Sequence, residues 1–291
     1  MKAKIEQIAD LAMTLGNKHL ADYGAVRSRH DFTQRQLMSC LILRAYLKTT
    51  YRGLVDFLSG HEGLRRALGM QEKLPHYTTL QKFSARSKVL EIVDQMIAQI
   101  GRAALRLVKR SSDIPAVAMD ATGMETSLAS THFMTRKGQP RRKWLKLSMT
   151  VVCGSLLPLG LVVDWAPNND KCQAAELLAK SQTAAGAERP QRLYADAGYD
   201  ADWIHARCHQ SWGVKSLIKP ARHRADGSLG GTYRSKMTPT HLRRNGYGRR
   251  WHIESFISGL KRMTGSALTA RLPSQQQKEA SLRVLAYSLF R

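Results

Sequence analysis

Two aspartates stand in sequence contexts that suit catalysis. Asp120 follows the apolar run Ile114–Met119 and precedes Ala-Thr-Gly, and Asp196 follows Leu-Tyr-Ala and precedes Ala-Gly-Tyr. Each pattern predicts an acid at the carboxyl end of a short buried strand, where small residues leave room for a ligand. A carboxylate there is poorly solvated unless it is paired or binds a metal ion. Taken singly, each aspartate could instead be a turn or helix-capping residue.

A third acid, Glu254, lies in a segment that predicts a helix over Tyr247–Thr264. At about 100° per residue, Tyr247, Arg250, Glu254 and Lys261 fall at roughly 0°, 300°, 340° and 320°, so they form one polar stripe. The adjoining arc is apolar and carries Ile253, Phe256, Ile257, Leu260 and Met263. The helix is therefore expected to pack on a sheet with Glu254 at the edge of a cleft. An ordinary amphipathic helix with an Arg250–Glu254 charge pair is the alternative.

Three carboxylates that converge on one point suit phosphodiester chemistry. Two Mg²⁺ ions about 4 Å apart can activate an attacking oxygen and stabilise a leaving oxygen. Asp120, Asp196 and Glu254 are the candidate catalytic residues for such a site, which would hold two Mg²⁺ (or Mn²⁺) ions and would need no nucleophile from the protein.

The spacing Tyr247-x₂-Arg250-x₃-Glu254-x₆-Lys261 resembles the Y-R-E-K signature of DDE transposases from bacterial insertion sequences. Three further stretches resemble the same family in order: Asp120-Ala-Thr-Gly as its first-Asp box, Asn168-Asn-Asp170 as the polar segment after its third strand, and Asp196-Ala-Gly-Tyr199 as its second-Asp box. Pro75-His-Tyr-Thr-Thr-Leu with Phe83 resembles its helical N-terminal domain. Asn169 stands where many members have His, and Ala197 where a basic residue is common; neither is a metal ligand.

The resemblance implies a ribonuclease H-like catalytic domain and a transposase activity. Such an enzyme cleaves the ends of an insertion sequence and joins the freed 3′-OH to target DNA. Tyr247, Arg250 and Lys261 are then expected to grip phosphates at the end of the element. The implied partners are the terminal inverted repeats, target DNA and a second copy of the chain as a homodimer on DNA. The interval from Asp196 to Glu254 leaves no room for a large insertion domain.

The charge of the chain independently predicts a polyanionic partner. Forty-six Lys and Arg stand against 22 Asp and Glu, which gives a net charge of +24. One basic cluster runs from Arg136 to Lys146 and a second from Arg222 to Arg250. The DNA-binding residues predicted from these clusters are Arg141, Arg142, Lys143, Arg243 and Arg244. Solvated loops are the alternative for both clusters.

The pattern of elements predicts an α/β fold in two parts. Residues 1–110 are expected to form a small all-helical domain with a DNA-binding or dimerising role, and residues 111–291 a mixed sheet flanked by helices, with a mobile basic loop over 222–246. Predicted strands cover 114–119, 145–153, 156–163, 193–195 and 214–218. Predicted helices cover 173–185, 201–212, 247–264 and 275–290.

Other functions are compatible with parts of this pattern. A structure-selective nuclease of the same fold would cut without joining, and a DNA-binding protein descended from a transposase would do neither. A basic structural RNA-binding protein is the simplest alternative, but it leaves the Y-R-E-K spacing as coincidence. No membrane segment or secretory signal is predicted, so a cytoplasmic location at the nucleoid is expected. The four cysteines and the five tryptophans are expected to be packing residues.

Overall fold

The structure, a computed structural model, describes residues 2–25, 27, 29–111, 113–126, 144–166, 168–221 and 228–291. The chain forms two compact units, one of residues 1–96 and 260–291, the other of residues 97–259. The predicted boundary after residue 110 divides the chain differently, because residues 260–291 group with the N-terminal helices. The role of the helical unit stays a prediction.

The described helices are, in chain order, α1 (Lys4–His19), α2 (Gln34–Leu47), α3 (Tyr51–Ser59), α4 (Glu62–Ala67), α5 (Tyr77–Ala85), α6 (Lys88–Arg110), α7 (Asp170–Ala185), α8 (Asp202–Ala206), α9 (Pro239–Arg244), α10 (Trp251–Thr264) and α11 (Pro273–Phe290). The described strands are β1 (Ala116–Met124), β2 (Trp144–Val152), β3 (Leu157–Ala166), β4 (Arg192–Ala195) and β5 (Lys215–Ile218).

Helix α11 is buried along most of its length within the helical unit, including its charged residues. The Nζ atom of Lys278 donates hydrogen bonds to the carbonyl oxygens of Ser84, Ala85 and Arg86, at 2.9, 3.0 and 2.8 Å. Two of these carbonyls end α5 and the third follows it directly, so the ammonium satisfies acceptors that have no donor within that helix. Lys278 therefore ties α11 to α5.

Glu279, the next residue of α11, is a second buried charge in the helical unit. Its carboxylate accepts hydrogen bonds from the backbone N–H groups of Thr269 and Ala270 and pairs with Arg283 at 2.6 Å. Burial acts to raise the pKa of Glu279, but Arg283 and the two N–H groups outweigh it and hold that pKa below its ordinary value. The carboxylate thus fixes the segment before α11.

The second unit is built on a five-stranded mixed sheet with the strand order β3-β2-β1-β4-β5. β1, β2 and β3 are antiparallel neighbours, whereas β4 runs parallel to β1 and β5 parallel to β4. Leu105 of α6 and Leu177 of α7 join Val117 and Leu193 of the sheet in one buried core. The predicted α/β class with a mixed sheet flanked by helices is confirmed, and the order is consistent with the expected ribonuclease H-like fold.

The first strand is longer than the sequence predicts. β1 continues through Asp120 to Met124, because it pairs with β2 from Val117↔Val152 to Met124↔Leu145. Its parallel pairing with β4 ends earlier, at Met119↔Ala195. The prediction that Asp120 ends its strand was therefore wrong, although Asp120 does lie where the parallel pairing ends.

The helix that carries Glu254 begins later than predicted. Residues Tyr247–Arg250 form a 3₁₀ turn, and the α-helix starts at Trp251. The predicted helical stripe is therefore wrong for Tyr247 and Arg250, because a 3₁₀ turn has three residues per turn instead of 3.6. The predicted helix over 201–212 is α8 followed by a π-helical turn over Arg207–Trp212.

The predicted basic loop over 222–246 is partly ordered structure. Its described part contains a 3₁₀ turn over Arg234–Lys236 and the helix α9, so the expectation of a mobile loop was wrong for these residues. Arg234 makes a two-point ion pair with the buried carboxylate of Asp200, with Nη2 at 2.6 Å from Oδ2. Asp202 accepts the backbone N–H groups of Thr232, Tyr233 and Arg234. Two aspartates thus anchor this segment.

Some packing expectations also failed. Cys40, Cys153 and Cys208 are buried and free, but Cys172 is exposed. The tryptophans at 144, 203 and 251 are exposed as well. Across the described part of the chain, the helices include none with the length and apolar character that a membrane span requires.

Candidate active site

The sheet brings Asp120 and Asp196 to neighbouring positions. The last parallel pair of β1 and β4 is Met119↔Ala195, and the two aspartates are the residues that follow. Because paired strands lie about 4.8 Å apart, residues at this point of the two chains are close neighbours. The predicted convergence of these two acids rests on this register.

The ionised carboxylate of Asp120 lies in an unfavourable electrostatic environment. Its Oδ1 atom accepts the N–H of Ala121 at 2.8 Å. Burial is the largest cause that raises the pKa of Asp120, which reaches about 6, and the charges of Asp196 and Asp170 raise it further. The N–H of Ala121 and the charge of Arg250 act to lower it. A cation beside this carboxylate would stabilise its ionised form.

Asp196 lies beside a glycine that allows two carboxylates to approach one another. Its Oδ1 atom accepts the N–H of Gly198 at 2.9 Å and so caps the 3₁₀ turn Ala197–Tyr199. A Cβ atom at Gly198 would lie 3.0 Å from that Oδ1 and 2.7 Å from Oδ2 of Asp170. Any larger residue at this position would push the carboxylates of Asp170 and Asp196 aside.

The turn before α10 is fastened to the parallel strands. The backbone oxygen of Asn245 accepts from Arg192 at 3.0 Å and from the Tyr194 hydroxyl at 3.3 Å, and its side chain accepts from Lys215 at 2.7 Å. Gly246 follows with φ of 75°, a left-handed conformation that favours glycine. These contacts fix the direction in which the chain enters the 3₁₀ turn.

Tyr247, the first residue of that turn, anchors it to β4. Its hydroxyl donates to the carbonyl oxygen of Ala195 at 3.0 Å, next to Asp196. Burial, with help from Asp196, raises the pKa of Tyr247 against the opposing charge of Arg250. The structure therefore shows Tyr247 in a positioning contact within the protein.

Arg250 connects the first and the third predicted acid. Its Nη1 atom lies 3.5 Å from Oδ2 of Asp120, and its Nη2 atom makes a close ion pair with Oε1 of Glu254. The side chain of Glu254 is 52% exposed, so it borders open solvent. The Arg250–Glu254 charge pair expected of an ordinary helix is present, and it also reaches Asp120.

A fourth acid lies at the site and was not predicted as a site residue. Asp170 begins α7 and pairs closely with Lys146 of β2, whose Nζ atom also donates to the carbonyl oxygen of Asn168 at 2.7 Å. A lone charged residue, Lys146, in the otherwise uncharged strand segment 145–152 was the sequence signal for an acidic partner. Its partner could not be identified until the strands were placed.

The predicted DNA-binding residues lie in several separate parts of the chain. Arg243 and Arg244 are exposed near the end of α9. Lys261 lies seven residues beyond Glu254 on α10, among the residues that group with the helical unit. Arg141, Arg142 and Lys143 lie outside the described residues.

The described acids are not arranged as a ready metal cage. Within the described ranges, no three Asp, Glu, His or Cys side chains stand in a group that could hold a metal ion. Instead, Arg250 contacts two of the four acids and Lys146 contacts a third. These acids can bind metal ions only if Arg250 and Lys146 first release them.

Comparison with known families agrees with this geometry. Residues 111–289 match the family described as the transposase DDE domain, which is more than half of the chain. No curated protein sequence matches the chain significantly. The mixed sheet flanked by helices is consistent with the ribonuclease H-like fold of this family. The chain is a member of the DDE transposase family, and its partner is DNA.

Proposed function

We propose that this transposase cleaves the ends of its own insertion sequence and joins them to target DNA at a site formed by Asp120, Asp196 and Glu254. Water attacks the phosphorus at the end of the element and the P–O3′ bond breaks, which leaves a 3′-OH on the element. That oxygen then attacks a target phosphodiester, so a new P–O bond forms and the target P–O3′ bond breaks.

The observation that carries the proposal is the position of Arg250. A single guanidinium contacts both Asp120 and Glu254, and the register of the sheet makes Asp196 a neighbour of Asp120. The three acids thus surround a place where positive charge is already favourable. The raised pKa of Asp120 points the same way, because burial among like charges favours a counter-ion. Carboxylate oxygens are the ligands that Mg²⁺ and Mn²⁺ prefer.

In this proposal Asp120, Asp196 and Glu254 hold two Mg²⁺ or Mn²⁺ ions, and Arg250 moves from the acids to a DNA phosphate. Two ions held by these acids would supply activation of the attacking oxygen and neutralisation of charge on the leaving oxygen. A guanidinium can grip a phosphate with two parallel N–H donors, so Arg250 positions the element's end. Tyr247 holds the 3₁₀ turn that carries Arg250 against β4, and Lys261 is assigned a phosphate contact.

Cleavage and joining can be measured on one substrate. A labelled duplex with the terminal inverted repeat of the element is incubated with target plasmid and Mg²⁺ or Mn²⁺. Asp120→Asn, Asp196→Asn and Glu254→Gln should each abolish both products and retain binding in a gel-shift assay. Glu176→Gln is the matched control, since Glu176 is an exposed acid on α7. Full activity of the three site variants would refute the proposal.

The same assay separates the alternatives. A structure-selective nuclease would give the cleaved strand and no joined product. A non-catalytic DNA-binding protein would give neither product with the unchanged chain, while the gel shift would remain.

DNA contacts are assigned to exposed basic residues, among them Arg243 and Arg244, and to Arg141, Arg142 and Lys143. Each phosphate contact should contribute about −0.9 to the slope of log K against log salt concentration. Replacing Arg243 and Arg244 together by Gln should therefore make that slope less negative by about 2 if each contacts one phosphate. An unchanged slope would remove these two residues from the DNA path.

A further inference from the structure

Lys146 and Asp170 form an ion pair directly beside the proposed metal site. Lys146 is 6% exposed, whereas the side chain of Asp170 is 32% exposed. Among the described residues, the ammonium of Lys146 bonds to the carboxylate of Asp170, at the start of α7, and to the carbonyl oxygen of Asn168. Taking the ammonium of Lys146 out of water is costly, and an apolar residue of similar size at a buried position is often as stable.

The position of Asp170 connects it to Asp196. Oδ2 of Asp170 and Oδ1 of Asp196 both lie within 3.0 Å of the position that a Cβ on Gly198 would take. The charge of Asp170 also acts on Asp120, where it raises the pKa. Asp170 therefore belongs to the same group of acids as Asp120 and Asp196.

Two polar groups lie buried near these acids. Nε2 of Gln173, a residue that is 4% exposed, has no hydrogen-bond partner among the described residues. The hydroxyl of Tyr199 is fully buried; burial and the charges of Asp170, Asp120 and Asp196 raise its pKa, while a hydrogen bond with Ser148 acts against them. The hydroxyl of Ser148 also bonds to Gln173. An unsatisfied buried donor such as Nε2 of Gln173 indicates an oxygen ligand, for example an ordered water.

We propose that Asp170 is a fourth acid of the metal site and binds a divalent cation together with Asp196, while Lys146 takes the place of that cation in the metal-free protein. This inference rests on the proposed function. Two cationic side chains contact three of the four acids: Arg250 contacts Asp120 and Glu254, and Lys146 contacts Asp170.

Removing the carboxylate is the first test. Binding of Mn²⁺ is measured by calorimetry on the full chain without DNA, for Asp170→Asn, Asp196→Asn and the control Glu176→Gln. Asp170→Asn and Asp196→Asn should each weaken Mn²⁺ binding about tenfold or more, and Glu176→Gln should bind like the unchanged chain. If only Asp196→Asn weakens binding, Asp170 is a counter-ion of Lys146 and the inference is overturned. If neither variant weakens it, the inference and the proposed metal site fail together.

Removing the ammonium is the second test. Lys146→Met leaves Asp170 without its partner, so thermal stability in EDTA should fall, and Mn²⁺ should restore it because the ion replaces the lost charge. Mn²⁺ affinity should also rise, since the competing cation is gone. A loss of stability that Mn²⁺ does not recover would mean that the pair is structural, which contradicts the inference.

A double variant distinguishes a loss of Mn²⁺ binding from a loss of folding. In Lys146→Met with Asp170→Asn both charges are absent, so no unpaired charge is buried. This protein should be more stable in EDTA than Lys146→Met alone and should show the weakened Mn²⁺ binding of Asp170→Asn. Mn²⁺ binding equal to that of the unchanged chain would exclude Asp170 as a ligand.

Discussion

Replacing Asp120 by Asn should stabilise the metal-free protein near neutral pH. The amide keeps an oxygen that can accept the N–H of Ala121, so the geometry of the strand is preserved. It removes a negative charge that is buried beside Asp196 and Asp170. A substitution that abolishes the proposed activity is thus expected to strengthen the fold, because the site concentrates like charges for a ligand.

The size of the effect follows from the pKa of Asp120. It is raised from 3.8 to about 6, roughly two pH units, and each unit corresponds to about 1.4 kcal/mol. The ionised carboxylate therefore costs the fold up to about 3 kcal/mol, an upper value because one fifth of the side chain is exposed and solvent screens it. Because the folded pKa is the higher one, the cost is complete above about pH 6 and is relieved as pH falls from 6 toward 3.8.

The measurement is urea unfolding in EDTA at pH 7.5 and pH 5. Asp120→Asn should exceed the unchanged chain by up to about 3 kcal/mol at pH 7.5, and roughly half of that difference should remain at pH 5. Asp202→Asn is the control with the opposite sign, since backbone N–H groups help to hold the pKa of Asp202 below its ordinary value. If Asp120→Asn is no more stable than the unchanged chain at pH 7.5, the inference that the ionised Asp120 carboxylate destabilises the fold is refuted.

Three further outcomes are expected. Lys278→Met should lower the free energy of unfolding by about 3 kcal/mol because three hydrogen bonds to carbonyl oxygens are lost, although the carbonyl oxygen of Arg86 keeps the N–H of Val89. The exposed Lys82→Met should change the free energy of unfolding little in the same urea titration. The stability that the Glu279 carboxylate contributes is present above its unfolded pKa of about 4.5 and is lost as pH falls through the lower folded pKa. The free energies of unfolding of Glu279→Gln and of the unchanged chain should therefore become equal in acid, and a difference that does not change with pH would contradict this. Arg234→Gln should speed limited proteolysis within residues 228–238, because the two-point bond to Asp200 is lost, and an unchanged cleavage pattern would show that Asp202 alone holds the segment.

Local pattern was sufficient for the parts of this protein that depend on short stretches of sequence. The apolar runs before Asp120 and Asp196 predicted strands, and β1 and β4 are present where those runs lie. The apolar arc of α10 was also correct, with Ile253, Phe256 and Leu260 buried. Strand and helix periodicity depend on neighbours within one or two turns, so they can be seen in a single sequence.

The boundaries of these elements were less predictable because partners distant in sequence set them. β1 extends past Asp120 because β2 supplies hydrogen bonds as far as Met124. The α-helix begins only at Trp251 because Asn245 and Tyr247 are bonded to β4 and β5, which hold the preceding residues in a tighter turn. No local propensity reports such bonds.

The sequence by itself determined which acids, which basic residues and which sheet elements this transposase has, together with the spacing by which it resembles its family. Only the tertiary structure decided that α11 groups with the N-terminal helices, that Lys146 pairs with Asp170, and that the carboxylates of Asp170 and Asp196 both lie beside Gly198. The physical reason is distance along the chain. Charges 24 residues apart, such as Lys146 and Asp170, interact only after the sheet and α7 have placed them side by side.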